Sequence, residues 1–473
     1  MANESSAAPG PRKATAFQLV FMTYAVICSG AYGLEQMVSA SGPGIAIATL
    51  CLLPFIWAVP LALACAELSA RYPVEGGYYR WARMAFGNFV GYQAGWLVWL
   101  ANLATNAVFA VLFANYAREW LPGMSGTLHW CIAAGLVWVA TWMNYRGIRI
   151  VGSASVLLTI LIFLPFLALT LLGLLHWRFN PFLPVVSPEK GWFGASLAGL
   201  SIAIWLFSGF EKLTTNAAEV ENPSRAFPIA LAFSVPMTSL SYIIPTVATL
   251  AAHDRWSEWG ESYFSVAARA IGGPWLGAGM AFGGLLSNLS LLMVTILGQS
   301  RLPMVLAEDG LFPASFRKTH ARYGTPVVSL VVGGVILSFL VRMKFADLAG
   351  LFSLVQVCAY LLIYASLIRL RSHPAPAPFP EVRRASSVLG ETARRAPFRI
   401  PMGTAGLVGM TLPSIALSAF VIMEKIWPSG VFDGRQALYV LLLFASGPVT
   451  YAVFRRVAGG GAPPQGPARA ARS

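Results

Sequence analysis

Long apolar blocks recur along the whole chain and limit its possible folds more than any other feature. A helix that crosses a bilayer needs about 20 consecutive apolar residues. Only 11% of the residues are charged, against roughly 25% in soluble domains. We therefore predict an all-α polytopic membrane protein with 12 transmembrane helices. These twelve blocks, called spans 1 to 12, lie near residues 17–40, 45–68, 86–117, 128–145, 150–175, 193–219, 226–251, 275–307, 326–342, 345–369, 402–426 and 436–454.

The positive charges indicate how the chain crosses the membrane. The 473 residues carry a formal net charge of +14, and the cytoplasmic loops of membrane proteins are enriched in Lys and Arg. If the N-terminus is cytoplasmic, and residues within six positions of a span end are counted with the adjacent loop, that side holds 23 Lys and Arg and the opposite side nine. Lys212 alone is then left within a span. We expect a multi-pass protein of the cell (cytoplasmic or inner) membrane with both termini in the cytoplasm. The charges form no aromatic-interleaved basic face, which argues against a nucleic acid partner.

The cysteines and histidines give no sign of metal binding or catalysis. All five Cys lie in apolar stretches without the paired spacing of metal ligands, and all five His lie in or beside polar connections. A membrane enzyme would need clustered His, Asp or Cys within the bilayer, and a nucleotide-driven pump would need a phosphate-binding loop. We expect no metal, no cofactor and no enzymatic activity.

Spans 1 and 6 each contain a Ser-Gly pair near the middle, followed by an acid. The two sets are Ser29, Gly30 and Glu35 in the run CSGAYGLEQ, and Ser208, Gly209 and Glu211 in the run LFSGFEK. The two Ser-Gly pairs are 179 residues apart, as expected if spans 1–5 and 6–10 form two repeats. One reading is that each pair interrupts its helix. The other is that small residues only let two helices pack closely.

An interrupted helix inside a bilayer frees backbone N–H and C=O groups that lipid cannot satisfy. Such a stretch survives only where it lines a cavity or meets a ligand. Freed N–H groups favour a carboxylate, and freed carbonyls favour an ammonium or a metal cation. Two crossed, interrupted helices therefore predict a pocket for a small zwitterion or cation near the midplane. A Glu in the first turn of the restarted helix is explained equally by the helix dipole.

Several longer motifs, in the right order, resemble the amino acid/polyamine/organocation superfamily, which has the LeuT-type fold. They are SGAYGLEQMVSASGP (29–43), AELSARYPVEGGYYRW (66–81), NAVFAVLF (106–113), AEVENPSRAFPIA (218–230), SRLPMVLAEDGLFP (300–313) and PFRIP (397–401). The first three are most similar to the polyamine:proton symporter branch known from plants. The resemblance implies a 5+5 inverted repeat with interrupted spans 1 and 6, followed by two extra helices. The expected units are an N-tail (1–16), repeats at 17–175 and 193–370, a cytoplasmic Pro/Arg-rich loop (371–401), spans 11 and 12 (402–456) and a C-tail (457–473).

A second resemblance, to the arginine/agmatine antiporters of that superfamily, implies roles for individual residues. Their W-x-F-x-G-x-E pattern matches Trp205, Phe207, Gly209 and Glu211, which implies a gating aromatic and a gate-linked acid. Their substrate-contacting Asn matches Asn102. The candidate substrate-binding residues are Ser29, Gly30, Ala31, Gly33, Glu35, Asn102, Trp205, Phe207, Ser208, Gly209 and Met293. The residues of the two interruptions are expected to bind through backbone groups, and Glu35 is expected to contact an ammonium group. The candidates for gating or proton coupling are Glu35, Trp205 and Glu211.

This chain also departs from its apparent relatives. Met293 stands where the antiporters have an aromatic side chain over the substrate. Thr105 replaces the Asp of an Asp-Asn-Ala run in the plant-like branch, and residues 150–175 lack the lysine that takes the place of sodium in some proton-coupled relatives. Glu67, at a predicted cytoplasmic helix end, is expected to pair with a loop arginine such as Arg71.

The sequence thus predicts a secondary transporter for an amino acid or a polyamine, coupled to protons, with sodium as the alternative ion. The alternatives are an arginine/agmatine-like exchanger and a sodium-coupled symporter of neutral amino acids. A membrane sensor that binds the same ligand without moving it is a candidate of another class, but it would usually carry a soluble output domain. A channel would need a continuous polar stripe, which the sequence lacks. The oligomeric state is left open.

Overall fold

The computed structural model describes residues 15–28, 30–72, 76–146, 155–210, 212, 220–221, 223–373, 398–427 and 432–457. In these residues the regular secondary structure is helical and there is no β-strand, which confirms the all-α prediction for the described part of the chain. A π-helical turn at Pro54–Ala58 joins the helices Pro43–Leu53 and Val59–Arg71. The helices are α1 (Ala16–Ile27), α2 (Glu35–Ser41), α3 (Pro43–Leu53), α4 (Val59–Arg71), α5 (Gly77–Phe86), α6 (Asn88–Ala117), α7 (Gly126–Arg146), α8 (Ser155–Leu175), α9 (Gly191–Ala198), α10 (Leu200–Leu206), α11 (Pro223–Ala252), α12 (Tyr263–Gly272), α13 (Pro274–Glu308), α14 (Val327–Leu340), α15 (Phe345–Ser372), α16 (Thr404–Ile426) and α17 (Gly434–Val457).

Among the described residues, eight helical segments are long and apolar enough to cross a membrane. They are Pro43–Arg71, Asn88–Ala117, Gly126–Arg146, Arg225–Ala252, Pro274–Glu308, Phe345–Ser372, Thr404–Met423 and Gly434–Arg456. Three further apolar helices are shorter, at Leu161–Leu175, Gly191–Leu206 and Val327–Leu340. The multi-pass architecture is therefore confirmed. The count of twelve stays a prediction, because span 1 is divided and spans 5 and 6 lie partly outside the described residues.

The predicted boundaries of the loops can be compared only in part. The helix α15 extends to Ser372 and α16 begins at Thr404, so the connection between them starts two residues later than the predicted segment 371–401. Most of that segment, and nearly all of the two predicted tails, lie outside the described residues. The division into two repeats also stays a prediction.

The same local arrangement occurs twice in the fold. A short helix, one glycine and a long helix follow each other at α5–Gly87–α6 and again at α12–Gly273–α13. The two glycines have almost the same backbone angles, with φ 88° and ψ −177° at Gly87 and φ 88° and ψ −178° at Gly273. Only glycine adopts this conformation without strain. They are 186 residues apart, which supports the prediction of two repeats.

A buried ion pair fixes the end of α4 against α15. The carboxylate of Glu67 is fully buried and accepts from Nε of Arg371 at 2.6 Å and from a terminal nitrogen of the same guanidinium. It also accepts from the backbone N–H of Ile400 at 2.9 Å, whereas Arg71 lies 3.6 Å away. The prediction that Glu67 pairs with an arginine is confirmed, but its main partner comes from α15. Arg371 is 304 residues from Glu67 along the chain, so nothing in the sequence indicated this pair.

A second polar cluster joins α6 and α7 to the turn before α12. The side-chain amide of Asn115 donates to the carboxylate of Glu261 and its oxygen accepts from Nε2 of His129 at 2.8 Å. The same turn is tied to α2, because Ser39 donates to the backbone carbonyl of Trp259 at 2.5 Å. The pKa of Glu261 is raised, and the largest cause is the burial of its carboxyl group.

Candidate functional site

A cavity lies where the interruption of span 1 meets the end of α10. Together with any space open to solvent, it measures about 510 Å³. Several separate helices contribute to its wall, as is usual for binding sites built within helix bundles. The residues that line it are Ile27, Gly30, Tyr32, Thr105, Phe109, Trp205, Leu206, Ser208, Lys212, Tyr242, Ser287, Asn288, Leu291 and Phe352.

The described residues between the end of α1 at Ile27 and the start of α2 at Glu35 are 28 and 30–34, and they form the interruption of span 1. Gly30 has φ 96° and Gly33 has φ 93°, a region in which other residues are strained. A Cβ atom at Gly33 would also lie 2.9 Å from the ring of Trp205. Glycine is therefore required there both by the backbone and by the approach of the indole.

Glu35 begins α2 and is fully buried. One carboxylate oxygen accepts from the backbone N–H of Gly33 at 2.7 Å, and the other accepts from the hydroxyl of Tyr116. The ring of Tyr116 packs edge-on against Tyr32, with 5.1 Å between centroids. Glu35 is not among the residues that line the cavity, and its contact with a substrate ammonium stays a prediction. The carboxylate is connected to the cavity wall through the two tyrosines.

Trp205 stands at the cavity wall next to both interruptions. Its indole N–H donates to the hydroxyl of Thr105 at 2.7 Å. Its ring packs against Phe109 at 5.8 Å and, edge-on, against Phe345 at 5.7 Å between centroids. The ring atoms Cζ3 and Cη2 of Trp205 lie closest to the position that a Cβ atom at Gly33 would take.

The interruption of span 6 begins after α10, which ends at Leu206. Gly209 has φ 122°, which ends the helical path, and Ser208 donates its hydroxyl to the carbonyl of Ile204 at 2.6 Å. Residues 213–219 lie outside the described part of the chain. The described stretch supports the reading of the Ser-Gly pair as a helix interruption rather than as a packing contact alone.

Tyr242 of α11 lies at the point where the two helix ends converge. Its hydroxyl is 3.3 Å from the carbonyl of Ile27, at the end of α1, and 3.4 Å from the carbonyl of Leu206, at the end of α10. A hydroxyl carries one proton, so it cannot satisfy both carbonyls fully. The arrangement leaves acceptor capacity at the cavity wall, which is suited to a donor such as an ammonium group.

The structure brings together some of the residues named from the sequence and separates others. Gly30, Trp205 and Ser208 line the cavity, while Ser29 and Glu211 lie outside the described residues. The remaining candidates do not line it: Ala31, Gly33, Glu35, Asn102, Phe207, Gly209 and Met293. Their roles stay predictions.

Met293 is one of the proposed substrate-binding residues that do not line the cavity. Its side chain is nearly buried and does not line the cavity, and its backbone carbonyl accepts from the amide of Asn144 on α7 at 3.0 Å. The position thus contributes to the contact between α7 and α13. Asn102 is only half-buried and is likewise absent from the cavity wall.

Several cavity residues were not found from the sequence as site residues. Phe109 and Phe352 have no signal that separates them from packing residues, and Thr105 stands out only because it replaces an Asp of the plant-like branch. Tyr242 is equally inconspicuous in an apolar span. Lys212 did have a signal, because it lies well inside predicted span 6, and charged side chains in membrane segments usually serve a function.

Known proteins are similar to this chain over most of its length. The profile of the family "Amino acid permease" matches residues 15–448. A probable polyamine transporter of Arabidopsis thaliana is 31% identical over 423 residues, covering 87% of this chain and 79% of the relative. Polyamine transporter PUT1 of Oryza sativa subsp. japonica is 32% identical over 414 residues (87% and 74%), and polyamine transporter RMV1 of Arabidopsis thaliana is 31% identical over 418 (87% and 80%).

These matches confirm the superfamily named from the motifs and the similarity to plant polyamine transporters. They extend over nearly the whole chain rather than over one motif. The protein is therefore a transporter in a membrane and not an enzyme, and a small molecule is its substrate. The chain belongs to the amino acid permease family.

Proposed function

We propose that the protein is a secondary active transporter of an amino acid or a polyamine, and that the substrate binds in the cavity between the interruptions of spans 1 and 6. The observation that carries this proposal is the convergence of two helix ends, at Ile27 and Leu206, on one cavity. Backbone groups freed at such points are satisfied by a ligand or by water. The printed names of the relatives support the substrate class.

Transport would proceed by alternating access, in which one helical bundle rocks against the other around the cavity. In this proposal the chain has twelve spans and two inverted repeats. It lies in the cytoplasmic membrane, and both of its termini are in the cytoplasm. Trp205 serves as the gate of the cavity, since its ring bridges Gly33 and Thr105. Backbone groups at 29–33 and 207–209 hold the substrate, together with Ser208.

Coupling to protons is the second part of the proposal. Glu35 is a buried carboxyl group held by Tyr116 and by a backbone N–H, and the tyrosine pair connects it to the cavity wall. A group that changes its charge there would alter the packing of α2 against α6 and thereby the closure of the cavity. Glu211, which follows the second Ser-Gly pair, is the other candidate. No bound cofactor is required.

The test is uptake by purified protein in liposomes. Labelled putrescine, arginine and leucine are offered separately, with and without an inward proton gradient and with and without a sodium gradient. We expect at least one substrate to accumulate and a proton gradient to increase its uptake. Accumulation driven by sodium alone would overturn proton coupling, and no uptake of any of the three, by protein shown to be folded, would count against the proposed substrate class.

An exchanger related to the arginine/agmatine antiporters is the second candidate, because Trp205, Phe207 and Gly209 match the pattern of those proteins and Trp205 lines the cavity. Exchange predicts that uptake of labelled substrate requires unlabelled substrate inside the liposomes. Symport predicts uptake into liposomes that contain none. The same preparation therefore separates the two.

A further inference from the structure

Thr105 holds the indole of Trp205 at the cavity wall by a hydrogen bond. The indole N–H donates to the Thr105 hydroxyl at 2.7 Å, and in the part of the chain that the structure describes this is the only hydrogen bond of the indole. Both side chains are buried, with exposed fractions of 3% for Thr105 and 8% for Trp205. A buried N–H that loses its acceptor carries a desolvation penalty, so the contact favours one position of the ring.

The other contacts of the Trp205 ring are apolar. The ring packs against Phe109 at 5.8 Å and edge-on against Phe345 at 5.7 Å between centroids, and its atom Cζ3 lies 2.9 Å from the place of a Cβ atom at Gly33. Apolar packing is non-directional, whereas a hydrogen bond requires the N–H to point at one atom. The orientation of the indole therefore depends on where the Thr105 hydroxyl lies.

The next residue on α6 fixes the position of that hydroxyl. Asn106 is fully buried, its side-chain amide donates to Gln299 of α13, and its side-chain oxygen accepts from the hydroxyl of Thr295. These two hydrogen bonds hold the rotation of α6 against α13 at this level. Neighbouring residues of a helix point about 100° apart, so Asn106 faces α13 while Thr105 faces the cavity.

The contact joins two separate membrane spans, because Thr105 lies on α6 in span 3 and Trp205 lies on α10 in span 6. The gate function proposed for Trp205 requires its ring to leave this position when the cavity opens, and the hydrogen bond then breaks. An interaction that is present in only one of two states shifts the equilibrium towards that state. The Thr105 hydroxyl therefore stabilises the state in which Trp205 covers Gly33.

We propose that Thr105 is a positioning residue for the gate, whose hydroxyl holds Trp205 at the cavity wall and thereby sets the fraction of molecules in which the cavity is open. This inference rests on the gate function proposed for Trp205 and adds the residue that regulates it. Thr105 needs no contact with the solute for this role. One neutral hydrogen bond changes such an equilibrium about twofold to tenfold.

The test measures how accessible the cavity is and does not depend on uptake. Ser208 lines the cavity, and Ser208→Cys provides a thiol there. The rate at which a small water-soluble methanethiosulfonate reagent modifies the peptide containing residue 208 is followed by mass, in folded protein in detergent. When opening and closing are fast relative to modification, this rate is proportional to the open fraction.

Two substitutions at position 105 are compared in this Ser208→Cys parent. Thr105→Val removes the hydroxyl and keeps a branched side chain of similar size, and we expect modification to become about twofold to tenfold faster. Thr105→Ser keeps the hydroxyl and is the matched control, so its rate should stay within about twofold of the parent. Equal rates in Thr105→Val and the parent overturn the inference.

A third substitution separates the positioning of Trp205 from a general loosening of the wall. Trp205→Phe removes the N–H but keeps an aromatic ring, and we expect it to accelerate modification. Adding Thr105→Val to Trp205→Phe should then change the rate by less than about 1.5-fold, because the hydrogen bond is already lost and the two effects are coupled. Effects that multiply in the double variant show that Thr105 does not act through Trp205, and they overturn the inference.

The outcomes also distinguish this inference from the proposed function. Uptake in liposomes without coupling between positions 105 and 205 overturns the role of Thr105 and leaves transport intact. Coupling between the two positions in a protein that takes up no compound counts against the transport function and leaves the contact in place. If Thr105→Val does not fold, Thr105→Ala takes its place in both comparisons, with the same expected and contradicting results.

Discussion

The buried ion pair between Glu67 and Arg371 gives the sharpest stability prediction. The two side chains are 0% and 1% exposed, and the guanidinium also donates to the carbonyls of Met402 at 2.8 Å and Ile400 at 3.1 Å. Glu67→Gln leaves the Arg371 charge buried without its counterion. Breaking a buried pair in this way costs about 3–5 kcal/mol. We expect a clearly lower apparent Tm in detergent, measured by the fraction of monodisperse protein that survives heating.

Arg71→Gln is the matched control for this prediction. Arg71 contacts the same carboxylate at 3.6 Å but is 25% exposed, so its loss should cost about 0–1 kcal/mol. The double variant Glu67→Leu with Arg371→Leu removes both charges, and it should be less destabilised than Glu67→Gln because no unpaired buried charge remains. If Glu67→Gln is as stable as Arg71→Gln, or if the double variant loses the sum of both single effects, the reasoning is wrong.

Three further predictions concern the cavity and its surroundings. Gly33→Ala should abolish uptake and lower Tm, because the new Cβ meets the Trp205 ring at 2.9 Å and φ is 93°; normal uptake would contradict this. Tyr242→Phe removes a hydroxyl whose hydrogen bond is worth about 0.5–1.5 kcal/mol, so KM for uptake should change between roughly twofold and tenfold, and an unchanged KM would argue against the site. Burial raises the pKa of Glu261, so the folded protein binds a proton at this carboxyl group more tightly than the unfolded chain does. The free energy of unfolding should therefore fall as the pH rises above about 4.3, the pKa of an unperturbed Glu. Glu261→Gln retains an acceptor for Asn115 and should lack that part of the pH dependence of Tm, whereas a pH profile identical to the wild type would refute it.

The large-scale features of the fold follow from the sequence because they depend on composition and local backbone chemistry. The spacing of apolar blocks predicts helices such as α6 and α13, whose observed ends differ from the prediction by at most two residues. Glycine next to serine predicts where spans 1 and 6 are interrupted, because glycine alone accepts the positive φ found at Gly30 and Gly209.

The composition of the cavity wall could be predicted much less well. Which face of a helix meets the cavity depends on how helices pack, and in a membrane span the apolar residues surround the helix on all sides. Phe109 and Tyr242 therefore could not be separated from their neighbours. The carboxylate of Glu35 accepts from Tyr116, a partner 81 residues away along the chain. Long-range partners of this kind, like Arg371 for Glu67, carry no local sequence signal.

The central claim, that the substrate passes through the cavity between the two interruptions, can be tested most directly at Ser208. This residue lines the cavity, and Ser208→Cys introduces a thiol there with a small change in volume. The account predicts that a bulky thiol reagent abolishes uptake by the variant, that the transported substrate slows this loss, and that the wild type with its native cysteines is unaffected. Full uptake by a variant whose modification at position 208 is verified by mass would contradict it.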